Sequence, residues 1–287
     1  MSTRKAVIMM SLSSVMWSIA GVIFKYIECN PFVIAGIRSF IASMTVLVYM
    51  IVTKQRFMVT KRTLLNAVFL AAVFFCFVGS NKLTSAANAI VLQYTAPVFV
   101  LLYQLIFKRM KPHIHDIICV VLTFFGIALF FGDSIGEGRL IGDIVAIASG
   151  FFFGGMMIAI GESDPCESIN GVFQGQLLTA LIGIPFVFFT ENTFTPTTVG
   201  LFLVLGIIQL GIPYTVVAIA GPHCPPLASS LVTVFEPLLN PVWVALIYHE
   251  VPGVWALVGG VIVIANVLTW CIMRDKREER QKVKQQA

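Results

Sequence analysis

The stretch "LVTVFEPLLNPVWVALIY", residues 231–248, is apolar except for one carboxylate, Glu236, and the small polar groups of Thr233 and Asn240, and it carries two prolines, Pro237 and Pro241. Why a carboxylate belongs in such a run depends on its surroundings. Of the 287 residues, 58% are hydrophobic and 11% charged. Soluble domains carry about 45–50% apolar and about 25% charged residues. The chain has too few charges to coat the outside of a water-facing core. It reads as an all-α integral membrane protein.

Punctuating the chain at its polar and Pro/Gly clusters gives ten apolar runs, near 6–26, 31–53, 63–81, 84–107, 114–132, 140–160, 169–190, 197–220, 226–248 and 252–273. Each is close to the roughly 20 residues that cross a bilayer core about 30 Å thick. The first follows Arg4 and Lys5 but is long for a signal peptide and lacks a small-residue cleavage site, so it is expected to remain as a span. Of the nineteen Lys and Arg residues, fifteen fall on the side of the N-terminus: Arg4, Lys5, Lys54, Arg56, Lys61, Arg62, Lys108, Arg109, Lys111 and six in the tail. Lys25, Lys82 and Arg139 fall opposite, and Arg38 is embedded. This bias places both termini in the cytoplasm, with the chain in the cell's inner membrane. The net charge of +5 expresses the same bias and points to lipid headgroups, not nucleic acid.

The remaining chemistry is sparse. Six cysteines, Cys29, Cys76, Cys119, Cys166, Cys224 and Cys271, are scattered without CxxC spacing, so neither disulfides nor zinc is expected. There is no HExxH, GxSxG or phosphate-loop motif, and His113 and His115 lie in a basic loop. No metal or cofactor is expected. Any energy for work must come from a gradient or from the substrate.

The chain repeats. "NAIVLQYTAPVFVLLYQLIF" (88–107) and "ASSLVTVFEPLLNPVWVALIY" (228–248) align at an offset of 140, which pairs Pro97 with Pro237, Gln93 with Thr233 and Pro112 with Pro252. Five spans per repeat is odd, so the second copy enters from the opposite face. The fold expected is therefore ten transmembrane helices as an inverted 5+5 repeat, residues 1–134 and 135–273, followed by a charged cytoplasmic tail, 274–287. Inverted repeats mark secondary transporters, with binding at the repeat interface near mid-membrane.

Four motifs carry a family likeness: Trp17 and Lys25 in the first span, "GIRSFIAS" with Arg38, "LTSAANAIVLQYTAPVF", and "ASSLVTVFEPLLNPVWVALIYHEVPGVWALVGGVIVIA" with Glu236 and Glu250. On these the chain resembles the drug/metabolite transporter superfamily, in its ten-helix EamA-type exporters, over residues 6–273. The family usually carries a Glu after the fourth span, where this chain has "KRMKPH". The resemblance implies a basket of helices 1–4 and 6–9 around a central cavity, with 5 and 10 peripheral. It also implies cargo such as amino acids, amines, carboxylates, nucleobases or drugs.

A charge at bilayer centre costs about 2.5–3.5 kcal/mol on insertion scales. Glu236 is too deep to snorkel, and Pro237 removes a donor and frees a carbonyl one turn earlier. A carboxylate and an opened backbone beside a wet cavity fit together, as a proton or substrate ligand; a structural ion pair with Arg38 is the competing role. Arg38 itself serves either structure or anion binding. Gln93 and Tyr94, one turn before Pro97, suit recognition of a polar metabolite. Thr233, Asn240 and Gln209 are further candidates, and Trp17, away from the interfacial belts, reads as a cavity wall. Pro97 and Pro237 are the expected flex points. The leading function is a secondary exporter working by alternating access, a monomer or homodimer, with the proton as a candidate coupling ion. A membrane enzyme would need clustered acids, and a lipid flippase or scaffold is the alternative.

Overall fold

The computed structural model describes residues 1–20, 23, 26–84, 86–130, 140–248 and 254–286. Among these there is helix throughout and no strand. The first span begins as α1 (Thr3–Trp17), and the second and third are α2 (Pro31–Val52) and α3 (Lys61–Leu83). The fourth is split into α4 (Ala86–Gln93) and α5 (Ala96–Ile106), and the fifth is α6 (Ile114–Phe130). In the second repeat, the sixth and seventh spans are α7 (Leu140–Gly161) and α8 (Pro165–Gly183), the latter prolonged by a tight turn, Ile184–Phe188. The eighth joins α9 (Pro196–Leu203) and α10 (Ile212–Ala220) through a π-helical stretch, Val204–Gly211. The ninth is split into α11 (Pro226–Val232) and α12 (Phe235–Tyr248), and the tenth is α13 (Val254–Gln286).

Local chemistry sets the starts. Asn30 caps α2 with Pro31 at its first position, and Thr60 and Thr63 cap α3 reciprocally. Asp164 accepts from the Cys166 and Glu167 amides, and Pro165 opens α8. Such caps satisfy amides that have no partner within the helix. They also explain why α8 begins at Pro165, earlier than hydropathy places the seventh span: "DPCE" is polar, but it is helix-initiating.

Five helical stretches are individually long and apolar enough to cross a membrane. The fourth and ninth spans are not among these five, and each is broken at mid-span. The breaks lie at Tyr94–Thr95 and Thr233–Val234, 139 residues apart, which is the repeat made visible in the backbone. Each follows from its proline. Pro97 cannot donate to the Gln93 carbonyl, nor Pro237 to that of Thr233.

The repeats interlock. The third span packs on the sixth and seventh, the second on the seventh and eighth, and the first on the eighth and ninth. The fifth and tenth pack on each other, tied by Asn266 Nδ2 to the Cys119 carbonyl at 2.8 Å and Trp270 Nε1 to Asp116 at 2.8 Å. Side chains such as Phe125, Leu181, Leu246 and Val261 stand exposed, as lipid-facing groups do. The architecture is the ten-helix inverted repeat of a multi-pass membrane protein.

Candidate functional site

The two breaks converge on one cavity. Its walls are Trp17, Ala20, Arg38, Val73, Phe74, Phe77, Gln93, Phe153, Gln209, Leu210, Tyr214 and Glu236. Seven spans contribute: the first, second, third, fourth, sixth, eighth and ninth. At about 40 Å³ it admits a few water molecules in this conformation. Five of the residues singled out in the sequence are thus together: Trp17, Arg38, Gln93, Gln209 and Glu236.

The ninth-span break is held by its neighbours. The Thr233 carbonyl, which cannot take a bond from Pro237, accepts from the Glu236 amide at 3.0 Å and also from Ser14 Oγ at 2.7 Å and the Tyr94 hydroxyl at 2.9 Å. The Tyr94 hydroxyl also lies 3.1 Å from Glu236 Oε2. First, fourth and ninth spans therefore meet at one carbonyl, which is how a broken helix is tolerated away from water. The Thr233 hydroxyl does not face the cavity; it donates to the Ser230 carbonyl within its own span, 2.9 Å away. Thr233 contributes through its backbone.

The fourth-span break is gripped by the sixth. A Cβ on Gly150 would fall 2.6 Å from Thr95 Oγ1 and 2.8 Å from the Gln93 carbonyl, so only glycine lets α7 come this near. Gln93 Nε2 donates to Ser149 Oγ at 2.9 Å. Gly171 and Gly175 play the same part between the seventh and third spans, against Asn66 and Leu70.

On the other wall, Arg38 is 3% exposed, with its guanidinium 5.3 Å from the centre of the Phe74 ring. Its Nη1 lies 3.5 Å from Gln209 Oε1, and Gln209 Nε2 lies 3.5 Å from the Trp17 carbonyl. Gln209 sits in the π-helical stretch, a local widening that often marks functional positions. The side chain of Asn240, and Lys25, Arg139 and Glu250, lie outside the described residues.

Sequence reading missed the aromatic lining. Tyr214 packs against Trp17 with ring centres 4.8 Å apart and edge-on against Phe74 at 5.5 Å, and Phe153 meets Trp17 at 6.4 Å. Among 24 phenylalanines none stands out by composition. A signal was available, because the offset of 140 that pairs Gln93 with Thr233 also pairs Phe74 with Tyr214. The two are repeat equivalents that touch at the centre.

The sequence model of the EamA-like transporter family matches twice, at residues 4–132 and 140–270. A search among curated proteins finds no match. Among solved structures, a crystal structure described simply as that of a protein aligns over 95% of this chain and 99% of its own, with a TM-score of 0.81 at 13% identity. That likeness establishes the shared fold. With both halves of the sequence matched, the chain belongs to the EamA-like transporter family, within the drug/metabolite transporter superfamily.

Proposed function

We propose that the protein is a secondary exporter of small organic metabolites, amino acids, amines or their relatives, working by alternating access across the cell's inner membrane. Both termini face the cytoplasm, the repeats divide near residues 134 and 135, and residues 274–287 form a cytoplasmic tail. Glu236 is the carboxylate that takes either a proton or the cationic group of the substrate. Pro97 and Pro237 mark the flex points at which the fourth and ninth spans change shape.

The observation that carries this reading is the placement of Glu236 in a cavity where two helix breaks meet. An embedded carboxylate is costly and is usually kept for binding or proton transfer. The cavity has room only for water-sized molecules in this conformation, so admitting cargo requires its walls to part. Broken helices, with fewer backbone bonds to lose, are the walls best able to do so. The family is one of transporters, and no phosphate-binding loop occurs in the sequence to supply ATP energy.

Purified protein in proteoliposomes, assayed by counterflow against a panel of amino acids, amines and nucleobases, gives the substrate class. Glu236→Gln then separates the roles of the carboxylate. With a proton carrier, exchange at equal pH survives while uphill transport driven by a pH gradient falls at least about tenfold. With an amine ligand, affinity for amines falls and neutral substrates are spared. A variant with wild-type pH dependence and affinity would overturn the assignment of Glu236.

A further inference from the structure

Three of the four tryptophans are buried or half-buried, and their indole N–H groups differ. Trp243 Nε1 donates to Ser18 Oγ at 2.7 Å, and Trp270 Nε1 to Asp116 Oδ1 at 2.8 Å. Trp17 is buried to 3% exposure and lines the central cavity, yet its indole N–H has no acceptor among the described residues. A buried donor without a partner costs free energy, and most such groups are satisfied. The ring itself is fixed, held between Tyr214 and Phe153. A rigid donor is thus kept unsatisfied in the wall of a cavity.

The polarity of the walls says what would satisfy it. Trp17, Arg38 and Gln209 form one linked group, since Gln209 bridges the guanidinium of Arg38 and the backbone carbonyl of Trp17. This side presents positive charge and an N–H donor. Glu236, held by Tyr94, presents the acceptor. A molecule with an oxygen acceptor at one end and a cationic group at the other meets both.

We propose that the Trp17 indole N–H is a substrate ligand, donating to a carboxylate or carbonyl oxygen of the cargo, and that it makes the cavity prefer cargo bearing such an oxygen over the corresponding simple amine. This rests on the cavity being the transport site, and deepens that reading by naming the group that Trp17 recognises. A hydrogen bond to a charged acceptor supports a preference of about tenfold or more.

The test compares leucine with 3-methylbutylamine, which share a skeleton and differ by the carboxylate, in counterflow with the wild type, Trp17→Phe and Glu236→Gln. Phe keeps an aromatic ring against Tyr214 but removes the N–H together with part of the indole's volume, so the readout is the ratio between two substrates of one skeleton and not the absolute rate. The expected result is a wild-type preference for leucine and an acid-to-amine ratio of kcat/KM at least about tenfold lower in Trp17→Phe. Should that variant not fold, the indole ¹⁵N–¹H resonance of Trp17 in the wild type takes its place, expected to shift with leucine and not with the amine. A preserved ratio, or a resonance indifferent to leucine, overturns the role of Trp17; with Glu236→Gln still altering transport, the cavity stands and the N–H binds only water. If Glu236→Gln is silent as well, or neither compound is recognised, the proposal falls together with the site it rests on.

Discussion

At the end of the molecule that carries both termini, the two repeats are stitched together; at the other end, they leave a cavity between them. The stitching is polar. Asn170, on the seventh span, accepts from the Met58 amide at 3.0 Å and donates to the Arg56 carbonyl at 2.8 Å, and Gln174 Nε2 reaches the Met58 carbonyl at 2.7 Å. Arg62 meets Glu167 at 3.3 Å, and Lys108 meets Glu162 at 3.0 Å. Within the second repeat, Gly161 of the sixth span packs so closely on Pro226 of the ninth that an added Cβ would fall 2.9 Å from the proline ring. At the opposite end, ties run along one edge from Asn30 to Asn192 at 3.0 Å and from Thr193 to the Glu28 carbonyl at 3.1 Å, and Thr84 Oγ1 donates to Asp143 between the third and sixth spans at 2.7 Å. Between that edge and the third span at Val78, Gly79 and Leu83 lies a cavity of about 780 Å³.

The difference teaches how the closed end is held. Its ion pairs are exposed at one or both partners, and such pairs contribute about 0–1 kcal/mol each. Side-chain-to-backbone bonds of the Asn170 kind contribute about 1 kcal/mol apiece. A sum of a few kcal/mol keeps one conformation dominant while leaving the other within reach. An apolar seal of similar area would be harder to reverse. We read the sealed end as the cytoplasmic gate of the proposed cycle and the cavity as the outer vestibule.

The largest effect should come from making the sealed end permanent. Arg62→Cys with Glu167→Cys, in a background freed of the six native cysteines and bridged by a short bis-thiosulfonate, should cut counterflow to about a tenth or less. Undiminished transport after complete bridging would mean that this end need not open. Weakening the seal should act in the other direction and by less. Asn170→Ala removes both bonds to the 56–58 loop, and labelling of Cys166 by a maleimide should quicken by about tenfold, the equivalent of roughly 1.4 kcal/mol. Cys166 is a suitable reporter because its thiol lies 3.6 Å from the Arg56 carbonyl in the same seam. Labelling at the wild-type rate would show that the seam owes its closure to packing instead.

The sequence disclosed these parts unequally, for physical reasons. Span count and repeat follow from hydropathy and proline placement, which act locally and leave a local mark. Glu236 was conspicuous because a charge in an apolar run is costly. Phe74, Tyr214 and Phe153 were not, because an aromatic ring facing a cavity and one facing lipid are the same residue in the same kind of run. The seam at Asn170 and Gln174 was invisible for another reason. Its bonds go to backbone carbonyls of a loop, which every residue possesses, so no complementary pattern appears in the partner segment. Their spacing of four on one helix face was the sole trace.

The smallest effect, and a check on the open end, lies in Cys29. This thiol lines the larger cavity in the loop between the first two spans, and is half-buried. Burial raises its pKa above the ordinary value. Only the thiolate attacks a maleimide, so the rate should climb about tenfold per pH unit while pH stays below the pKa. An unperturbed thiol levels off above about 8.5. Cys29 should therefore react more slowly than free N-acetylcysteine at pH 7, and its rate should still be rising at a pH where that of the reference has flattened. Applied as a membrane-impermeant reagent to a variant retaining Cys29 alone, the same reaction reports on the vestibule. A transported solute that drives the protein toward the opposite conformation should slow it, and protection should follow the solute's apparent affinity. A profile matching that of N-acetylcysteine, indifferent to solute, would show this end as an ordinary loop surface and remove the contrast between the two ends.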